Sequence, residues 1–346
     1  MIFRQLFDRE SSTYTYLLAG KHGGEALLID PVLERVDHYL RLLKEYNLRL
    51  IKAVDTHLHA DHITALGKLR DETKCITVMG DHSSVDTVSM RISDGDEISI
   101  EGVSLKAIYT PGHTDDSYCF LMADRVFTGD TLLIRGTGRT DFQNGNARDQ
   151  YDSLFGKLLT LPDETLVYPG HDYKGDTVST IAEERAFNPR LQVSSVDKYI
   201  DLMNNLGLPN PKMMDVAVPA NQVIGLQQQD GEFDQWSLTA EEAASEIKAS
   251  GTLLVDLRED GERGKNGVIP KSVQIPYGSL EKNLRAGGML HYEANADKRI
   301  IFYCAYGERS ALAVALAREQ GYSDIFHIVG GINAWKQMGG DVETVQ

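Results

Sequence analysis

Within Thr56-His57-Leu58-His59-Ala60-Asp61-His62 stand three imidazoles and a carboxylate, and no other stretch restricts so tightly what this chain can fold into. It follows Leu50-Ile51-Lys52-Ala53-Val54-Asp55, a short apolar run with branched side chains that reads as a buried strand. The polar groups therefore sit where a strand gives way to a loop, the place where α/β folds put their chemistry. In extended backbone, side chains two apart share a face, so His57 and His59 can look into one cavity. Asp61 and His62 follow around the turn. Imidazole and carboxylate without thiolate suit zinc or non-haem iron.

The same design recurs further along. Thr110-Pro111-Gly112-His113-Thr114 follows a strand-like run, and its Pro and Gly set a tight turn that presents His113. Arg125-Val126-Phe127-Thr128-Gly129-Asp130 delivers Asp130 at the end of another run, and Leu166-Val167-Tyr168-Pro169-Gly170-His171 delivers His171. Alone, His113 or His171 reads equally well as a core or loop histidine or as a ligand. Strand ends that repeatedly deliver ligand-type residues predict one shared metal pocket.

This series resembles the metallo-β-lactamase superfamily over roughly residues 1 to 225. The resemblance implies an αββα sandwich, two mixed sheets with helices outside and the metal at one edge. Within the superfamily, Asp130-Thr131-Leu132-Leu133-Ile134-Arg135-Gly136-Thr137-Gly138-Arg139-Thr140-Asp141-Phe142-Gln143, His171-Asp172-Tyr173 and Asn188-Pro189-Arg190 are similar to the persulfide dioxygenases. That likeness implies one Fe(II) per chain on the residues matching His57, His113 and Asp130, a facial set with open positions for substrate and O₂. His59, Asp61, His62 and His171 would surround it and hold ligands and metal-bound water by hydrogen bonds. The implied reaction is oxidation of glutathione persulfide by O₂ to sulfite and glutathione. Glutathione is a dicarboxylate, for which Arg139 and Arg190 are candidate anchors, with Tyr173 as a hydroxyl donor. All residues for two metals are present, so a dinuclear zinc thioesterase of the glyoxalase II kind stays open as the alternative.

At 346 residues the chain exceeds what one core usually supports, and two domains are expected. The formal charge of −16 is spread along the chain, which argues against nucleic acid as a partner. Three scattered cysteines, Cys75, Cys119 and Cys304, make no disulfide framework, and no run approaches a membrane span. A soluble protein of the cytoplasm is expected, its oligomeric state open and a homodimer among the options. A hairpin is read around Lys21-His22-Gly23-Gly24, helices over 35–46, 65–70 and 195–206, and short strands between 75 and 130.

The polar, turn-rich stretch Gln227 to Gln235 marks a seam, giving domains 1–228 and 229–346. After it, either Ser237 or Thr239 (with Glu242) caps a helix, and strands then alternate with helices as in a smaller α/β domain with a parallel sheet. The apolar strand Arg299-Ile300-Ile301-Phe302-Tyr303 runs into Cys304-Ala305-Tyr306-Gly307-Glu308-Arg309-Ser310, and a helix follows. Loop N–H groups, the helix N-terminus and Arg309 favour sulfur as an anion there. With Val255-Asp256-Leu257-Arg258-Glu259 and Val329-Gly330-Gly331-Ile332-Asn333-Ala334-Trp335, this loop resembles a rhodanese domain over about 236 to 340. Val268 stands after Gly267, where the family commonly has histidine. Cys304 to Arg309 spans six residues, which fits sulfur better than phosphate. The pairing implies sulfur exchange between thiosulfate and glutathione on Cys304, one domain making what the other consumes. A non-enzymatic sulfur relay is the remaining rival, and open ligand sets argue against it.

Overall fold

The computed structural model describes residues 1–209, 212–226, 228, 233–248, 251–295 and 298–345. The chain packs as two units, Met1–Asp86 with Arg91–Ile224 and Thr87–Met90 with Gly225–Gln346. Much of the stretch expected to carry the seam, residues 227 and 229–232, lies outside the described residues.

Among the described residues the first unit is built on two six-stranded mixed sheets. The first follows chain order: β1 (Ile2–Phe7), β2 (Tyr14–Ala19), β3 (Glu25–Ile29), β4 (Arg49–Val54), β5 (Ile76–Gly80) and β6 (Met90–Ile92). The second comprises β7 (Glu97–Ile100), β8 (Val103–Tyr109), β9 (Tyr118–Leu121), β10 (Arg125–Gly129), β11 (Leu166–Pro169) and β12 (Ser179–Thr180), again in order. β2 and β3 form the expected antiparallel hairpin, whereas β3, β4 and β5 run parallel. β8 alternates, with Val103, Leu105 and Ala107 inside and Ser104 and Lys106 outside, as a strand with one wet face must. β4 is buried almost throughout; even Lys52 lies inside, its ammonium donating to Ser99 O at 2.8 Å.

The two sheets meet through aromatic rings. Tyr16 and Phe127 lie 4.8 Å apart and Phe3 and Tyr168 4.9 Å, and the Tyr16 hydroxyl donates to Pro169 O at 2.6 Å. Helix Val36–Glu45 buries Val36, Tyr39 and Leu43, one stripe at helical spacing. The helix expected to end at Arg70 runs over Leu66–Thr73 and closes at Lys74 in the left-handed conformation (φ 59°). Val196–Asn204 follows its Ser195 cap. Ala147–Gly156, Ile181–Phe187 and Met214–Gln222 are helices that the periodicity does not announce. The first is held by Asn146, whose side chain accepts from Arg148 N and Asp149 N; the last contains Pro219.

The second unit carries a wholly parallel five-stranded sheet in the order β13 (Ser237–Leu238), β17 (Ile325–Ile328), β16 (Arg299–Tyr303), β14 (Thr252–Asp256), β15 (Val273–Gln274). Ser237 belongs to β13, so Thr239 is the cap of Ala240–Ile247, in a capping box with Glu242. β16 is central and buried, and it ends directly at Cys304, which precedes helix Glu308–Glu319. Among the described residues no helix is long and apolar enough to cross a membrane.

Candidate functional site

The loops leaving β4, β8, β10 and β11 carry His57 to His62, His113, Asp130 and His171, and they converge. One ligand atom each from His57, His113 and Asp130 lies within 4.8 Å of the others. His59, Asp61 and His62 form a second such group.

Hydrogen bonds assign the ring nitrogens. Asp30 accepts the Thr56 N–H at 2.7 Å and its hydroxyl at 3.0 Å. With that hydroxyl proton committed, Thr56 Oγ1 accepts from His57 Nδ1–H at 2.9 Å, which leaves Nε2 as a lone pair. His113 Nδ1–H donates to Arg139 O at 2.7 Å, with the same result. Burial, then the neighbouring rings of His59 and His113, hold His57 well below its usual range, so it is a neutral ligand-type imidazole. Burial opposes ionisation of Asp130, but the His171 ring outweighs it, and the carboxyl is held below its ordinary range.

Gly129 makes this approach possible. Its φ is +47°, and a Cβ there would stand 2.6 Å from Thr56 Oγ1. Asp130 and His57 are the next residues along each strand, so a methyl group would push the ligands apart. Gly129→Ala is expected to cost about 2 kcal/mol through left-handed strain and overlap and to lower metal content more than Ala substitution at exposed Gly175 does. Melting and metal analysis of purified protein check this; equal metal content in both variants would count against it.

Around the trio lies a carboxylate–imidazole chain. His171 Nδ1 meets Asp130 Oδ1 at 2.7 Å, and its Nε2 meets Asp61 Oδ2 at 2.8 Å. His62 Nδ1 lies 2.9 Å from the same Asp61 oxygen. Burial disfavours charge on His171, yet Asp130 and Asp61 raise it well above the ordinary value. His59 Nε2 faces Asp30 at 3.2 Å; burial opposes its charge and Asp30 outweighs burial, raising it to about 9. His59 Nδ1 and His62 Nε2 are buried without a hydrogen-bond partner. Imidazole nitrogens left without partners among carboxylates fit a site that a cation completes, as does the oxygen–nitrogen donor set itself.

Above the trio opens a cavity of about 260 Å³, lined also by Leu133 to Arg139, Phe142, Tyr173, Lys174, Arg190 and Leu208. Arg139 lies in the wall, but its guanidinium holds Asp141 at 2.5 and 2.7 Å and Pro209 O at 2.6 Å. Arg190 donates to Thr137 O and to Thr137 Oγ1, and among the described residues no carboxylate forms an ion pair with it. Tyr173 is exposed and lies parallel to the His171 ring at 6.0 Å.

In the second unit, Cys304 is buried beneath its loop and accepts the Gly307 N–H at 3.1 Å, with Ser310 Oγ 3.7 Å away. Arg309 is fully buried and grips Glu262 with both terminal nitrogens, at 2.7 and 2.5 Å. Its terminal nitrogens are thus taken by Glu262, while its Nε is buried without a hydrogen-bond partner.

Residues 8–171 match the metallo-beta-lactamase superfamily and residues 239–338 the rhodanese-like domain. The mitochondrial persulfide dioxygenases ETHE1 of Mus musculus and Homo sapiens are each 47% identical over 230 residues, 66% of this chain and 90% of theirs. The chain belongs to the persulfide dioxygenase family. Crystalline ETHE1 from Myxococcus xanthus is 55% identical and superposes with a TM-score of 0.63 over 64% of this chain and 98% of its own. A metallo-beta-lactamase from Staphylococcus aureus, 22% identical, shares the fold over 95% of this chain and 98% of its own, with a TM-score of 0.61.

In this persulfide dioxygenase relative the pocket wall depends on residues that motif reading passes over. Glu184 is fully buried. It accepts from Arg135 N at 2.8 Å, Ser179 Oγ at 2.6 Å and Asn188 Nδ2 at 2.8 Å, and it pairs with the Arg135 guanidinium. Asn188 Nδ2 also reaches Gly136 O at 2.9 Å, and its Oδ1 accepts from Arg190 N at 3.0 Å. Glu184 thus pins the Leu133 to Thr137 wall and the Arg190 backbone together. The one available signal was Thr180 as an N-cap ahead of Glu183 and Glu184.

Proposed function

We propose that the chain oxidises glutathione persulfide with O₂ on one Fe(II) held by His57, His113 and Asp130, and exchanges sulfur between thiosulfate and glutathione on Cys304. On this reading residues 1–228 are the oxidising domain and residues 229–346 the sulfurtransferase, in a reducing cytoplasm; the three cysteines, all buried and none in a disulfide, agree with that compartment. The reading rests above all on two imidazoles whose Nδ1–H bonds are taken by Thr56 and Arg139 O, so that both Nε2 lone pairs and Asp130 meet below one cavity.

Ferrous iron would supply the redox chemistry with O₂ that no side chain offers. The rest is orientation. His171 holds Asp130 by one nitrogen and Asp61 by the other. These bonds occupy both nitrogens of His171, which supports one ion over two, and His59 Nδ1 and His62 Nε2 are the atoms a second ion would find unpartnered. Arg190, free of acidic partners among the described residues, supports capture of a substrate carboxylate, with Tyr173 at the rim as hydroxyl donor. Arg139 could join only by releasing Asp141. The net reaction is glutathione persulfide plus O₂ plus water to glutathione, sulfite and two protons. In the second domain, the Cys304 thiolate attacks the outer sulfur of thiosulfate, whose S–S bond breaks as sulfite leaves with the electron pair. Glutathione thiolate then attacks the outer sulfur of the Cys304 persulfide and regenerates the Cys304 thiolate. The glutathione persulfide so formed is the substrate of the iron site.

Purified protein is expected to hold about one iron per chain and to release one sulfite per O₂ consumed with glutathione persulfide. About two zinc per chain with thioester hydrolysis and no O₂ uptake would overturn the reading. Arg190→Ala is expected to raise KM for glutathione persulfide about tenfold with kcat nearly unchanged, the pattern of a lost ground-state contact. Steady-state O₂ uptake measures both constants, and an unaltered KM removes Arg190 from the site.

A further inference from the structure

The Cys304 loop is gripped by a residue outside it that packs within the same unit, Gly225–Gln346. Gln228 donates from Nε2 to Tyr306 O at 2.8 Å, and its Oε1 accepts the Gly330 N–H at 3.0 Å. Tyr306 C=O and Gly307 N–H belong to the same planar peptide unit and point in opposite directions. Anchoring the oxygen therefore aims the N–H, and that N–H is the one donating to Cys304 Sγ at 3.1 Å. Gly307 adopts φ +90°, where glycine alone turns freely, and a Cβ there would lie 1.9 Å from Gln228 Oε1. Such a peptide can rotate, and rotation would present a carbonyl to the sulfur in place of an N–H.

We propose that Gln228 is a positioning residue for the sulfur-transfer reaction: it locks the Tyr306–Gly307 peptide with its N–H toward the Cys304 sulfur. This rests on the sulfurtransferase reading given above. The charged and titratable groups around the loop stand apart from the clamp. Arg309 is matched by Glu262. The Glu308 carboxylate accepts from Leu226 N at 3.0 Å and Ser89 Oγ at 2.6 Å. His327, behind Ser310, is pushed down to about 4 by burial and stays neutral. An N–H donor favours negative charge on sulfur, and strong base supplies the same charge without a donor.

Gln228→Met keeps the shape without hydrogen bonds, and Gln228→Glu keeps the acceptor for Gly330 but loses the donor. In the full-length protein, iodoacetamide labelling of Cys304, followed on its own peptide by mass spectrometry, is expected to slow about tenfold at pH 7 in both variants. The rate at pH 10 stays at the wild-type value, and thiosulfate:glutathione sulfur transfer at pH 7 falls in proportion. Unchanged circular dichroism and persulfide-dependent O₂ uptake check the fold. Labelling at pH 7 within twofold of wild type in both variants overturns the clamp. Slowed labelling in a protein that never transfers sulfur from thiosulfate leaves the clamp standing and removes the sulfurtransferase reading.

Discussion

Asp130→Ala is expected to abolish persulfide-dependent O₂ uptake, by about a thousandfold or more, and to strip the iron. The carboxylate is the sole anion of the trio, and removing it leaves His57 and His113 facing one another across 5.0 Å with no anionic ligand between them. His171→Ala tests the arrangement from the other side. If His171 orients Asp130 through its 2.7 Å contact without binding metal itself, its loss costs about 10–100-fold, and one iron per chain is retained when metal is in excess. A His171→Ala protein as inactive as Asp130→Ala, having lost one of two bound metals, would favour the dinuclear alternative. Iron analysis and O₂ electrode measurements on the same preparations separate these outcomes. Sulfur transfer on Cys304 serves as the control for folding, since it uses a different domain.

Cys304→Ser produces the second large effect. Thiosulfate:glutathione sulfur transfer falls by about a thousandfold or more, because a serine hydroxyl neither ionises near neutral pH nor carries sulfane sulfur. O₂ uptake with added glutathione persulfide stays within about twofold of wild type, whereas O₂ uptake driven by thiosulfate and glutathione disappears. Loss of both activities in a folded Cys304→Ser protein would count against the division of labour. Retention of the thiosulfate-driven reaction would mean that sulfur reaches the oxidising site without Cys304.

Both predictions concern residues that are legible as residues. His57, His113, Asp130, His171 and Cys304 each end a strand-like run, and a run of that kind can be read from five or six neighbours. The hairpin around Gly23, helix Val36–Glu45, the Thr239 capping box and the parallel second sheet are legible for the same reason. Helices Ala147–Gly156, Ile181–Phe187 and Met214–Gln222 escape because they are short and weakly patterned, so tertiary packing determines their conformation more than local preference does. Charge is misleading in the same way. Arg139 and Arg309 look like anion anchors, but Asp141 and Glu262 occupy them.

What the amino-acid order determined by itself is therefore the inventory: two domains' worth of strands and helices, a donor set that suits zinc or non-haem iron, and a cysteine set ahead of a helix. Only the folded chain decided what those groups present to one another. Thr56 and Arg139 O choose the nitrogens of His57 and His113, Gly129 lets the strand ends close, and Glu184 ties the pocket wall. Gln228 turns one peptide toward the sulfur. Apart from Thr56, which adjoins His57, the partners lie tens of residues away in the chain, and hydrogen bonds are short and directional, so no local pattern encodes them.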